Sequence, residues 1–280
     1  MSPAGASPIV AVEGLVKQFR LRRSLLDGLR RVPSRSHVAI DDVSFSLHRG
    51  EILGLAGQSG SGKSTVARCL TRLVTPDSGA IDLAGEDVRA ASGAGLREVR
   101  RRMQMIYQDP YTSLNPRMTI GAAIIEAGRV HRRAGSENAE TFVSRLLEQV
   151  GLPSRMALRR PRELSGGQRQ RVAIARSLAV GPDVLIADEA VSALDVSVQA
   201  QLLNLFIDLR DQLGLSILFI SHQLAVLAEV CDRVAIMNQG RIVEIGATAD
   251  VFSNPRHAYT RELLAAHPDP DPAHRHKEPA

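Results

Sequence analysis

The chain has 280 residues, 44% of them hydrophobic, enough to build a real core in one large domain or two small ones. No window approaches the roughly 18 unbroken apolar residues of a membrane span, and "MSPAGASPIV" has neither the basic stretch nor the long apolar stretch of a secretory signal. The net charge of +5 would suit an acidic partner such as nucleic acid, nucleotide or an anionic membrane surface, but arginine supplies 32 of the 35 basic residues, so compositional bias explains it as well.

Residues 1–7 are expected to be disordered. "IVAVEGLVKQF" and "VSFSLHRGEILGLAG" carry strand-like alternation, with His48-Arg49-Gly50 a turn between two strands. The segment between them, residues 20–35, holds six arginines, and Leu25, Leu26, Leu29 and Val32 would fall on one face of a short helix. It reads either as a solvated insertion or as a contact with a membrane surface or partner.

"EILGLAG" is a short apolar strand. "KSTVARCLTRLV" repeats Val66, Leu70 and Leu73 at helical spacing until Pro76, giving strand, Gly-rich loop, helix. "MQMIYQD" predicts another strand. From about Pro110 to Val150 the period is helical, as in Phe142, Leu146 and Val150, so a helical insertion interrupts the α/β rhythm. That rhythm resumes with "DVLIAD" as a buried strand, "VQAQLLNLFIDLRDQL" as a helix and "SILFIS" as a second buried strand. "RVAIMNQGRIVEIG" predicts a hairpin turning at Asn238-Gln239-Gly240. Cys69 and Cys231 lack metal-ligand spacing and read as reduced core residues. The Pro-rich, charged tail 266–280 is expected to be disordered, its histidines solvated.

Gly57-Gln58-Ser59-Gly60-Ser61-Gly62-Lys63-Ser64, followed by Thr65, satisfies G-x-x-x-x-G-K-[ST] at every fixed position. Its glycines let successive backbone N–H groups converge on phosphate oxygens at a helix N-terminus. Lys63, one of three lysines in the chain, would reach the β- and γ-phosphates, and the Ser64 hydroxyl would ligate magnesium. A nucleoside triphosphate is the expected ligand.

Parallel strands joined by crossover helices bring their C-terminal ends to one edge of a sheet, where ligands bind. "EILGLAG" ends at the phosphate loop, "VLIAD" at Asp188 and "SILFIS" at His222. Asp188 would then face the magnesium through its water shell. Glu189 would sit near the attacking water as general base or polarising group, and His222 would contact the γ-phosphate and help hold that water.

Leu164-Ser165-Gly166-Gly167-Gln168-Arg169-Gln170-Arg171 heads a second helical pattern, with Ser165 placed to cap it, and reads as a second anion site. One phosphate cannot easily use two separate helix N-termini of one chain, so this site is expected to serve a nucleotide held by another subunit.

With "GQSGSGKST", Gln108 in "IYQDP", "LSGGQRQR", "VLIADEAVSALD" and His222 in "ISHQ" in this order, the sequence resembles the ATP-binding subunits of ABC transporters over residues 8–265. The resemblance implies an α/β P-loop NTPase fold. Its core sheet would be mostly parallel, with an N-terminal antiparallel β subdomain and a helical subdomain inserted at about 109–175. It implies ATP and Mg²⁺ as ligands, with Gln108 joining Ser64 and Asp188 around the metal and Phe19 stacking on adenine. It implies a head-to-tail dimer in which Ser165, Gly166, Gly167 and Gln168 meet the partner's ATP and Asp195 ends a loop at the interface. The second ATP-binding subunit could be identical or paralogous. Two membrane permease subunits and, indirectly, an extracytoplasmic solute-binding protein would complete the complex on the cytoplasmic face of the bacterial membrane, without nucleic acid.

"QDPYTSLNPRMTIG" and "GRIVEIGATADVFSNPRHAYTRELLAAHP" are similar to the ATPases of dipeptide, oligopeptide and nickel importers. Some of those carry an iron–sulphur cluster near the C-terminus. With no cysteine after Cys231, none is expected here. Ala190 stands where the family usually has proline and Gln223 where aspartate commonly follows the histidine, which puts turn rigidity and the tuning of Glu189 and His222 in question. The alternatives are a cassette of a soluble complex such as carbon–phosphorus lyase, or a soluble ABC protein acting on nucleic acid or the ribosome.

Overall fold

A computed structural model describes residues 7–20, 36–109, 114–131, 138–192 and 194–266. The remaining residues hold most of the expected disordered N-terminus, the Arg-rich segment and the tail, so those three expectations lie outside the described residues.

Val10, Val12 and Leu15 are buried along β1 (Val10–Arg20), and the strand pairs antiparallel with β2 (Ser36–Leu47) from Val10↔Leu47 to Arg20↔Ser36. On its other edge β1 pairs with β4 (Ser78–Leu83), which pairs with β5 (Glu86–Asp87). The resulting antiparallel sheet has the order β2-β1-β4-β5. The antiparallel N-terminal layer was expected; β4 and β5 were not, because "SGAIDL" is short and has glycine at its second position.

The second sheet has the order β10-β9-β3-β8-β7-β6, from β10 (Arg241–Ala247), β9 (Arg233–Asn238), β3 (Ile52–Ala56), β8 (Ser216–Ser221), β7 (Val184–Asp188) and β6 (Met103–Ile106). All its pairings are parallel except β10 with β9. β3, β7 and β8 are buried at every position, as strands covered on both faces must be. The β9–β10 hairpin turns at Gln239 and Gly240, both with positive φ, the backbone of a tight primed turn.

The helices are α1 (Lys63–Leu70), α2 (Gly93–Arg102), α3 (Ile120–Val130), α4 (Ala139–Gln149), α5 (Gly166–Leu178), α6 (Val196–Leu213), α7 (Leu224–Val230), α8 (Thr248–Ser253) and α9 (Ala258–Ala265). α3 and α4 fall in the stretch read as a helical insertion. Their buried residues Ile120, Ile124, Phe142 and Leu146 join one cluster with Ile52, Leu185 and Phe219 of the parallel sheet. Leu53, Leu55, Ile186 and Ile220 face the other way and pack with Leu15, Ile40 and Val43 of the antiparallel layer. The parallel sheet is thus the shared wall of two cores. Phe206 of α6 meets Phe219 edge to face at 5.3 Å, which fixes that helix on the sheet.

Candidate active site

The parallel register sets the site. Ala56 of β3 pairs with Ser221 of β8, and Asp188 of β7 pairs with Ile220. The phosphate loop, Asp188 and His222 therefore leave the sheet at one edge, as their strand-end positions predict.

Gly62 is the N-cap of α1 with φ +110, and a Cβ there would lie 2.2 Å from the Ala39 carbonyl oxygen, so only glycine lets the loop seat against β2. The next residue, Lys63, is buried; its ammonium donates to the carbonyls of Gly57 at 2.6 Å and Gln58 at 2.9 Å. Burial lowers its pKa, and the neighbouring Glu189 and Asp188 oppose that shift. Ser64 Oγ donates to Asp188 Oδ1 at 2.9 Å. Asp188 is only 8% exposed, and this burial pushes its carboxyl above the ordinary value, with the Ser64 hydrogen bond acting the other way. The two oxygens expected at a metal are thus adjacent before any metal arrives.

Glu189 adopts φ +51, a left-handed conformation that costs a non-glycine residue about 1–3 kcal/mol and clusters at functional sites. The turn is held by Glu189 N–H donating to Ile220 O and by Ser192, whose N–H and Oγ both donate to Glu189 O. Glu189 Oε1 lies 3.2 Å from His222 Nδ1, so the two residues read as catalytic are joined.

A 270 Å³ cavity is lined by Ser59, Gly60, Gly62, Lys63, Ser64, Thr65 and Glu189 together with Phe19 and His37. Phe19, 38% exposed, has the Lys17 ammonium 5.5 Å from its ring centroid. A second cavity of 300 Å³ is shared by Gly57, Gln58, Ser59, Glu189, His222 and Leu263. Ser61 is buried within the loop.

Gln108 follows β6 and is exposed; it lines neither cavity. Ser165–Gln168 line neither cavity either. Ser165 Oγ accepts from Gln168 N–H, the cap expected from the sequence, and Gln168 Oε1 accepts in return from Ser165 N–H. A Cβ on Gly167 would come 2.4 Å from Val198 Cγ1, so this glycine also lets α5 pack on α6. Asp195 is exposed at the N-cap of α6.

Two glutamine contacts are not legible in the sequence. Gln199 Nε2 donates to Gln223 Oε1 at 3.1 Å, tying the helix after Asp195 to the neighbour of His222. Gln170, buried at 1% exposure, donates to the Tyr107 carbonyl beside Gln108. Only helical spacing plus knowledge of which helices pack could have signalled these pairs.

Ala190 is buried, and among the described residues its N–H has no hydrogen-bond acceptor, so a proline there would cost no backbone hydrogen bond. Ala190→Pro is expected to fold and to change ATP turnover only modestly, because it removes none of the hydrogen bonds that hold the Glu189 turn. Steady-state rates check this; a much larger gain would show that the native turn holds Glu189 poorly.

Residues 40–192 match the model of the family described as ABC transporter, and residues 243–280 match the oligopeptide/dipeptide transporter C-terminal region. The chain is 50% identical over 276 residues to the glutathione import ATP-binding protein GsiA of Pectobacterium atrosepticum, covering 99% of this chain and 44% of that protein. Against GsiA of Escherichia coli strain K12 the identity is 51% over 266 residues, 95% of this chain and 42% of the relative. The chain therefore spans less than half the length of these curated relatives. Among solved structures, cbiO1 from Clostridium perfringens, described as part of the ABC transporter complex cbiONQ, aligns with TM-score 0.74 and 26% identity over 88% of this chain and 91% of its own. The ATP-binding cassette MJ0796, in a structure with ADP and Pi, aligns with TM-score 0.72 and 24% identity over 85% and 98%, a likeness of fold. On its family match, its fold and its strand-edge site, the chain belongs to the ABC transporter family, as an ATP-binding cassette followed by an oligopeptide/dipeptide-type C-terminal region.

Proposed function

We propose that this chain binds and hydrolyses ATP to energise import of peptides or peptide-like solutes across the bacterial inner membrane. The observation that carries the reading is the convergence of Lys63, the Ser64–Asp188 hydrogen bond and the Glu189–His222 contact around one phosphate loop. The solute class rests on the oligopeptide/dipeptide-type C-terminal region and on the glutathione importers that the chain resembles over nearly its whole length.

Phe19 and His37 share the loop cavity, and Phe19 is assigned to the face of the base. N–H groups from Gly60 to Thr65 receive the phosphates, and Lys63 keeps one donor on the Gly57 carbonyl while turning its others to the β- and γ-oxygens. Ser64 and Asp188 suit magnesium, a hard ion that takes oxygen ligands and is commonly held by one carboxylate together with substrate phosphates. When bound, the ion neutralises charge on the β- and γ-oxygens. Gln108, exposed and outside both cavities here, is assigned to the same shell. Glu189 polarises the attacking water, and His222 orients Glu189 and the γ-phosphate; positioning and charge carry the reaction.

The capped Ser165–Gly167 turn, outside both cavities of its own chain, suits the ATP of a second cassette, with Asp195 at that interface. A cleft of 440 Å³ that reaches Tyr107, the neighbour of Gln108, is lined by Leu73, Tyr107 and Val130 together with Arg100, Glu126 and Arg176, and suits an amphipathic element of a membrane permease. No described helix is long and apolar enough to cross a membrane, so attachment at the cytoplasmic face would come through such subunits. Tagged chain is expected to co-purify with two integral membrane proteins from detergent extracts and to support Glu189-dependent uptake of labelled peptide. Recovery only with ribosomes or a soluble complex would remove the importer reading.

A further inference from the structure

α9 reaches the phosphate loop from the C-terminal region, about 200 residues away in sequence. The peptide unit joining Gly57 to Gln58 is held at both ends. Its carbonyl oxygen, on Gly57, accepts from Lys63 Nζ at 2.6 Å, and its N–H, on Gln58, donates to Tyr259 Oη at 3.4 Å. These two groups of a trans peptide share one rigid plane and point opposite ways. A rotation that swings the carbonyl away from Lys63 therefore also breaks the contact with Tyr259.

Tyr259 is itself fixed. Its N–H donates to His257 Nδ1 at the start of α9, and Glu244 of β10 accepts from the N–H groups of Arg256 and His257 at 2.8 and 3.1 Å. One turn further along α9, Leu263 is buried and closes the cavity that holds Glu189 and His222. Residues four apart share a helix face, so α9 presents both side chains to the loop.

We propose that Tyr259 is a positioning residue for the phosphate loop: its hydroxyl orients the Gly57–Gln58 peptide and thereby sets Lys63 for the β- and γ-phosphates. The C-terminal region is then a working wall of the nucleotide site. This inference rests on the reading of the loop as an ATP site.

The test titrates the full chain with a non-hydrolysable ATP analogue and, by competition, with AMP, which lacks the phosphates Lys63 would reach. Tyr259→Phe keeps the ring and removes only the hydroxyl. The variant should bind the analogue about 2- to 10-fold more weakly, the effect of one neutral hydrogen bond, with AMP affinity and melting temperature unchanged. Wild-type affinity for the analogue in Tyr259→Phe would overturn the inference and leave the ATP site standing. An equal loss for AMP would also overturn it, because the hydroxyl would then not act through Lys63. A wild-type chain that bound no analogue would remove the ATP reading, and this inference with it.

Discussion

Glu189→Gln is expected to hydrolyse ATP about 10²–10⁴-fold more slowly than the wild type, the usual effect of removing a general base, while binding ATP as tightly. Glutamine has the same shape, so the φ +51 turn and its bonds to Ile220 and Ser192 remain. The amide can still meet His222, 3.2 Å from Oε1 in the native chain. What disappears is a carboxylate able to take a proton from water. With hydrolysis blocked, the ATP-bound form should accumulate as a dimer on sizing, with the native chain largely monomeric in the absence of ATP. Wild-type turnover in Glu189→Gln would mean that the base lies elsewhere.

Lys63→Ala should weaken ATP binding by at least about 100-fold, since charge-assisted hydrogen bonds contribute roughly 1.5–3 kcal/mol each and this ammonium would reach two phosphates. No other described lysine can substitute. Lys17, the other described lysine, is paired with Asp77 at 3.0 Å and lies beneath Phe19. Truncation also leaves the Gly57 and Gln58 carbonyls without their buried donor. Nucleotide titration and turnover both check the result; unchanged values would remove the phosphate-loop assignment.

The parts of the site read most surely from sequence are those fixed by local rules. The Gly-rich loop, the apolar runs of β3, β7 and β8, and the residues that end them need only strand period and parallel register to share an edge. The cap of Ser165 by Gln168 is likewise local, three residues apart. Less legible were contacts between elements far apart in the chain. β4 joins the antiparallel sheet through pairing with β1 rather than through strong alternation of its own. Gln199 finds Gln223, and Tyr259 finds Gln58, only once α6, α7 and α9 are docked. Gly167 read as an anion-site glycine, and its tight approach to Val198 became visible only in the packed structure.

The most direct test is a crystal structure of the Glu189→Gln chain grown with ATP and magnesium. The triphosphate should lie on the backbone of residues 60–65 with Lys63 at the β- and γ-oxygens, the ion between Ser64 Oγ and Asp188, and His222 facing the γ-phosphate. A triphosphate bound elsewhere, with Lys63 reaching none of its oxygens, would contradict it.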